Sequence, residues 1–360
     1  MARVYNFNPG PAALPLPVLQ KCQAELVEYP GTGLSILEMS HRSKDFEAIL
    51  SQTQNLFREL MGLPSSYHIL FLGGGASLQF AMIPMNYIPA GGSADYIVTG
   101  EWAKRAHKEA TIVGKARIAA SSEDLQFSYL PDPSTFQLDP NAAYVHITSN
   151  NTIYGTQWPT YPDVKGRPLV IDLSSDMLCR KADFTQFSMM YAGAQKNLGP
   201  AGVTVVFIRE EFAATANKGL STMLSYETHI KNNSLYNTPP AFAIYLVKLV
   251  LEWIKAEGGV GAVEETNRQK AELLYKTMDN SNGFYRGTVR PDCRSWMNVP
   301  LRLTSEELET EFLGAAKKEG LVGLKGHRSV GGIRVSMYNA VSLEAIKVLT
   351  DFMKEFQKKH

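Results

Sequence analysis

Lys196 and Asp172 are the residues of this chain whose types and spacing best suit them to act together. Asp172 closes the apolar run Leu169-Val170-Ile171, and Lys196 follows a second run, Phe187-Ser188-Met189-Met190-Tyr191. Runs of this kind read as strands, so both side chains are expected to project from adjacent strand ends into one cleft. A lysine amine and a carboxylate so disposed suit pyridoxal phosphate. The amine forms a Schiff base with the aldehyde, and the carboxylate keeps the ring nitrogen protonated, so that the ring draws electrons from a carbanion at the substrate Cα. At about 3 Å and an effective dielectric of about 20, the carboxylate–pyridinium pair is worth on the order of 5 kcal/mol before desolvation. The two residues alone also fit a solvated surface lysine and a turn-forming aspartate. Lys196, however, lies within Ala192-Gly193-Ala194-Gln195 and Asn197-Leu198-Gly199-Pro200-Ala201-Gly202. A surface lysine needs no such run of small residues, whereas a backbone folded closely around a planar ligand does.

Other segments are compatible with the same ligand. Leu72-Gly73-Gly74-Gly75-Ala76-Ser77 follows a strand-like run and opens a helix-like one, so its backbone N–H groups would face an anion such as a phosphate. It is not a Walker A loop, because no Gly-Lys-Ser/Thr follows, and Leu78 stands where a dinucleotide fingerprint needs its third glycine. Trp102 suits stacking on a pyridine ring or capping a core. Thr152, in Ser149-Asn150-Asn151-Thr152-Ile153-Tyr154-Gly155, suits a donor to the cofactor or a turn. His41-Arg42 and His327-Arg328 are two basic pairs in expected loops, fit for a dianionic phosphate or for solvent. Arg334, inside the apolar strand-like Gly332-Ile333-Arg334-Val335-Ser336, requires an anionic partner.

The elements that must position these residues alternate as βα repeats, which indicates an α/β fold with a mainly parallel sheet. Strands are expected at 68–72, 94–98, 143–148, 169–172, 187–191 and 203–208. Helices are expected at 16–28, 43–61, 76–87, 101–112 and 240–256. Beyond Gly258 a long helix, 260–278, leads to strands at 295–303 and 332–337 and helices at 305–319 and 343–357. The division expected is a large domain, 16–258, and a smaller α+β domain formed by 1–15 with 259–360. With 360 residues and 44% hydrophobic content the chain is long enough for two cores. Lys and Arg number 36 against 35 Asp and Glu, a net charge of +1 with no long basic run, which gives no electrostatic footprint for nucleic acid or an anionic membrane. Cys22, Cys179 and Cys293 are widely spaced and form no CxxC, as expected of free thiols and not of a disulfide framework or metal site. Residues 1–9 lack the apolar core of a signal peptide, so a cytoplasmic location is expected.

Over essentially its whole length the sequence resembles the phosphoserine aminotransferase branch of the class-V aminotransferase family. The resemblance is carried by Asn6-Phe7-Asn8-Pro9-Gly10-Pro11-Ala12, Met39-Ser40-His41-Arg42-Ser43, Gly73-Gly74-Gly75-Ala76-Ser77, Gly100-Glu101-Trp102, Asn151-Thr152-Ile153, Ala194-Gln195-Lys196-Asn197 and Gly326-His327-Arg328-Ser329. It implies a fold-type-I pyridoxal-phosphate enzyme with a seven-stranded sheet, and exchange of an amino group between O-phosphoserine and 2-oxoglutarate in serine biosynthesis. The related 4-phosphohydroxythreonine of pyridoxine biosynthesis is a further implied substrate. The same resemblance implies that Lys196 carries the cofactor, Asp172 meets its ring nitrogen, Trp102 stacks on the ring and Thr152 meets a polar ring substituent. Ala76, Ser77 and Gln195 would hold its phosphate, joined across a homodimer interface by Asn237 and Thr238 of the second chain. Arg334 would take the substrate α-carboxylate, His41 and Arg42 its distal anion, with His327 and Arg328 reaching in from the second subunit. Two alternatives remain open at this stage: a class-V transaminase acting on alanine, serine or glyoxylate, which would not need the His-Arg pairs, and a non-catalytic phosphometabolite-binding protein, which would not need Lys196 with Asp172. A cysteine desulfurase is disfavoured, since no cysteine sits in a Gly/Ser-rich loop.

Overall fold

The computed structural model describes residues 3–360. In chain order the first half comprises β1 (Tyr5–Asn6), α1 (Leu16–Glu25), α2 (Lys44–Met61), β2 (Tyr67–Leu72), α3 (Gly75–Tyr87), β3 (Ser93–Val98), α4 (Glu101–Val113), β4 (Lys115–Ser121), β5 (Ala142–Thr148) and β6 (Leu169–Asp172). There follow β7 (Met189–Gly193), β8 (Thr204–Arg209), α5 (Glu210–Ala213), α6 (Tyr226–Lys231), α7 (Ala241–Ala256) and α8 (Val260–Asp279). The last part holds β9 (Arg286–Gly287), β10 (Asn298–Arg302), α9 (Glu306–Lys318), β11 (Leu321–Val322), β12 (Ile333–Ser336) and α10 (Leu343–Lys359).

Strands β2 to β8 form one sheet in the order β2-β8-β7-β6-β5-β3-β4. Four of its pairings are parallel; only β8 runs against both of its neighbours. Alternation along each strand divides the apolar residues between two faces. Ile69, Phe71, Ile147, Ile171 and Val205 pack with Phe46, Ile49 and Phe57 of α2 and Val247 of α7. Leu70, Leu72, Tyr96, Val170 and Val206 pack with Phe80 and Ile83 of α3 and Ala106 of α4. A helix covers each face, so the central strands are buried throughout. In α2 the reason for the helix is visible locally. Ser43 caps its first turn by accepting from Phe46 N, Asp45 and Glu47 follow, buried residues recur at three- and four-residue steps, and Gly62 ends it at φ 64°.

A third core combines Phe7 with Leu274, Val299, Leu301, Phe312, Leu349 and Phe356. It lies around the antiparallel sheet β12-β10-β9 and the parallel pair β1-β11, which ties the amino-terminal arm to the carboxy-terminal part of the chain.

Two differences from the sequence expectation have simple causes, and α1 adds a third at its end. β4 was not anticipated, because it is the sheet's edge strand and its sequence Lys-Ala-Arg-Ile-Ala-Ala-Ser is largely polar or small and half-exposed. β7 begins at Met189 instead of Phe187, since Asp183 caps a short 3₁₀ turn over Phe184–Gln186. α1 stops at Glu25. The three cysteines are free thiols. Among the described residues, no helix is long and apolar enough to cross a membrane, and no group of three or more His, Cys, Asp or Glu could hold a metal ion.

Candidate active site

Because β2 runs with β3, β5, β6 and β7, the carboxyl ends of all five strands open on one edge of the sheet, where ligands of α/β proteins bind. From this edge a cavity of about 120 Å³ is lined by Gly75, Ala76, Ser77, Phe80, Trp102, Thr148, Asn150, Thr152, Asp172, Ser174, Ser175, Gln195 and Lys196. Larger hollows of about 820 Å³ beside Tyr129 and Arg290 and about 770 Å³ beside Phe127 and Arg302 contain no lysine facing a carboxylate, so volume does not locate the chemistry.

Asp172 is the last residue of β6 and is 5% exposed. Its Oδ1 accepts from the backbone N–H of Ser174 at 2.8 Å. Burial raises its pKa, opposed by the Ser174 hydrogen bonds and by the charge of Lys196. Lys196 lies three residues past β7, the neighbour of β6. Its Nζ donates to Thr152 Oγ1 at 2.6 Å and stands 5.5 Å from the centre of the Trp102 ring. Desolvation pushes the amine down to about 8; Asp172 and Asp176 pull it upward, and Arg334 adds to the depression. The amino-terminal arm closes over this lysine. A Cβ on Gly10 would stand 3.3 Å from Lys196 Cγ, and Ala12 N donates to Gln195 O at 2.9 Å.

At the other end of the cavity α3 presents its N-terminus. Gly74 precedes it at φ 84° with no side chain capping the free N–H groups, and a Cβ there would lie 2.6 Å from Leu78. Thr152 is held by the preceding asparagines: Asn151 Nδ2 donates to Thr99 Oγ1 (3.1 Å) and Thr156 Oγ1 (2.9 Å), and Asn150 Nδ2 to Ser175 Oγ and Asn298 Oδ1 (both 2.8 Å). Arg334, 5% exposed on β12, donates from Nη1 to Thr152 O at 3.2 Å, and its Nε has no partner. No carboxylate pairs with it among the described residues, so the anion that its burial calls for is not supplied by them.

The cavity thus brings together Ala76, Ser77, Trp102, Thr152, Asp172, Gln195 and Lys196, with Arg334 beside it. His327 and Arg328 lie in the loop before β12; burial and the positive charges of Arg334, Arg328 and Arg105 depress the His327 pKa. His327 thus feels the charge of this chain's own Arg334, although the resemblance brings His327 and Arg328 in from a second subunit. His41 and Arg42 stand in the turn before α2, and Asn237 and Thr238 lie exposed before α7; none of the four lines the cavity. The sequence reading passed over Ser174, Ser175 and Asp176, although the polar run immediately after Asp172 was the available signal. Asp176 is buried and accepts from Gln157 Nε2 at 3.1 Å and from Ser149 Oγ; burial raises it to about 6.

The donor set fits pyridoxal phosphate. Trp102 Nε1 and Thr148 Oγ1 are buried without partners at the cavity wall, the helix N-terminus faces it uncapped, and an amine and a carboxylate occupy separate strand ends. Residues 4–349 match the model of the family described as Aminotransferase class-V. The chain belongs to the class-V aminotransferases. It is 54% identical over 356 residues to the phosphoserine aminotransferase of Niallia circulans, covering 99% of this chain and 98% of the relative. A solved phosphoserine aminotransferase from Bacillus circulans subsp. alkalophilus superposes with a TM-score of 0.97 at 54% identity, over 99% of each chain. A second solved phosphoserine aminotransferase, studied for radiation damage of its Schiff base, gives 0.97 at 50% identity over the whole of both chains. The mixed seven-stranded sheet is that of the fold-type-I, pyridoxal-phosphate-dependent enzymes of this family.

Proposed function

We propose that the chain is a pyridoxal-phosphate-dependent phosphoserine transaminase, interconverting O-phosphoserine plus 2-oxoglutarate and 3-phosphohydroxypyruvate plus glutamate. The observation that carries the reading is the lysine–carboxylate pair on adjacent parallel strand ends, within a chain more than half identical to phosphoserine aminotransferases along its full length.

Bound in this cavity, pyridoxal phosphate supplies the electron sink for a carbanion at the substrate Cα. Ala76 and Ser77 at the α3 N-terminus, with Gln195, would hold its phosphate; Trp102 would cover one ring face, and Asp172 would keep the ring nitrogen charged. Lys196 takes the proton from the substrate Cα as general base, and an amine near 8 is partly free at neutral pH. Thr152 aims that amine by accepting its hydrogen bond. Arg334 takes the α-carboxylate through its fork, and His41, Arg42, His327 and Arg328 take the distal phosphate.

The same proposal assigns the enzyme to serine biosynthesis in the cytoplasm, with 4-phosphohydroxythreonine of pyridoxine biosynthesis as a second substrate. It also takes the active form to be a homodimer in which Asn237 and Thr238 of one chain complete the phosphate site of the other. Their exposure beside Tyr236, itself 46% exposed, supports this. Residues 16–258 would form the cofactor domain, and 1–15 with 259–360 the small domain, a division supported by the third apolar core, whose buried members all fall in the latter segments, while Val260 and Val263 at the start of α8 pack into the first core. Steady-state rates with O-phosphoserine, serine and alanine as amino donors test the substrate. Equal activity with serine and O-phosphoserine would assign the chain to another class-V transaminase.

A further inference from the structure

Lys270 is fully buried on α8 and touches none of the groups discussed above. Its Nζ donates to three backbone carbonyls, those of Met337 (3.1 Å), Tyr338 (2.9 Å) and Val341 (2.9 Å), which satisfies all three donors of an ammonium without a carboxylate. These carbonyls belong to the turn between β12, which carries Arg334, and α10. The turn also bonds to the other side of the site. Asn339 N donates to Oδ1 of Asn197, the residue after Lys196, at 2.9 Å. Tyr338 Oη donates to Pro9 O at 2.7 Å, next to the Gly10 that lies against Lys196. One helical turn before Lys270, Asn267 Nδ2 donates at 2.8 Å both to Asn339 Oδ1 and to Cys179 O. A buried lysine amine, pushed down to about 7 by desolvation, is costly where an apolar residue of similar volume would pack, so it calls for a task that such a residue could not perform.

We propose that Lys270 is a positioning residue for the transamination: it fixes the 337–341 turn and thereby sets Arg334 against Lys196. The inference rests on the assignment of Arg334 to the substrate α-carboxylate. Every amino donor carries that carboxylate, so the effect of losing Lys270 is common to all of them.

The test uses the holoenzyme with Lys270→Met, which keeps the chain length and removes the donors. Single-turnover half-reactions are followed with O-phosphoserine and with glutamate, alongside thermal unfolding. The expected result is a rise in half-saturation of about 10- to 100-fold, similar for both donors, as a misplacement of roughly 1 Å produces. In an Arg334→Ala background the same substitution should add less than about threefold, because the two residues act through one contact. A lower unfolding temperature with unchanged half-saturation, or a full effect in the Arg334→Ala background, overturns the proposal. Should Lys270→Met not fold, Asn197→Ala removes the acceptor of Asn339 N while keeping Lys270; it should raise both half-saturations together, and no change overturns the proposal. Glutamate gives this ratio even if the native enzyme ignores O-phosphoserine, so the positioning role and the phosphate reading fail separately.

Discussion

Lys196 and Thr152 are joined by a 2.6 Å hydrogen bond from Nζ to Oγ1, and the carbonyl of the same threonine accepts from Arg334. One residue thus links the buried amine to the guanidinium that would hold the substrate. The amine is depressed to about 8, mainly by burial. In the cofactor-free protein, covalent capture of pyridoxal phosphate should therefore speed up with pH and level off above about 8. Stability has a definite sign as well. Below about 8 the amine is charged in both folded and unfolded chains and the burial penalty is fully present; between about 8 and 10.5 the unfolded chain binds more protons, so stability rises with pH. Unfolding of cofactor-free native protein and Lys196→Ala across this window should show the variant's advantage shrinking as pH rises.

Replacing Lys196 by Ala should abolish transamination and the visible absorbance of the loaded protein, with far-ultraviolet circular dichroism unchanged. Turnover near the native rate would remove Lys196 from the mechanism.

Asp172→Asn keeps the shape of the strand end and its hydrogen bond from Ser174 but removes the charge. A loss in kcat of at least about 10²-fold is expected, the scale of removing a major electrostatic stabiliser of a transition state. A kcat within threefold of native would leave Asp172 a structural role only.

Arg42→Ala and Arg328→Ala should raise KM for O-phosphoserine by roughly 10- to 150-fold, the equivalent of one lost charge-assisted hydrogen bond of about 1.5 to 3 kcal/mol, with a smaller effect for glutamate. Arg334→Ala should damage both half-reactions alike. Equal losses for the two donors in Arg328→Ala would refute a phosphate-selective site there.

Mixing Lys196→Ala with Thr238→Ala/Arg328→Ala protomers assigns residues to chains. If Thr238 and Arg328 serve the partner's site, a heterodimer gathers every intact group in one of its two sites and activity returns. No complementation after verified subunit exchange would argue for self-contained sites.

What could be read from the sequence follows how local its cause was. Asp172 and Lys196 could be placed together because each ends an apolar run, and adjacent parallel strands are the ordinary outcome of such runs. Arg334 was conspicuous as a charge inside an apolar strand. The edge strand β4 escaped notice because partial exposure removes the pattern that marks a strand, and β1, β9 and β11, at two residues each, exist only through their partners. Lys270 offered no signal at all. It sits in Glu264-Glu265-Thr266-Asn267-Arg268-Gln269-Lys270, where it reads as one more solvated charge, and only the fold shows that α8 turns Asn267 and Lys270 inward.

The bond from Tyr338 to Pro9 joins residues 329 positions apart, and the arm it secures lies over Lys196. During synthesis Lys196 emerges from the ribosome long before the tyrosine that holds the arm in place. The early-made α/β layers can collapse around their own cores, but the contact of Gly10 with Lys196 must wait for the last part of the chain. A nascent or truncated chain that stops before residue 338 therefore carries Lys196 without the bond that secures the arm over it.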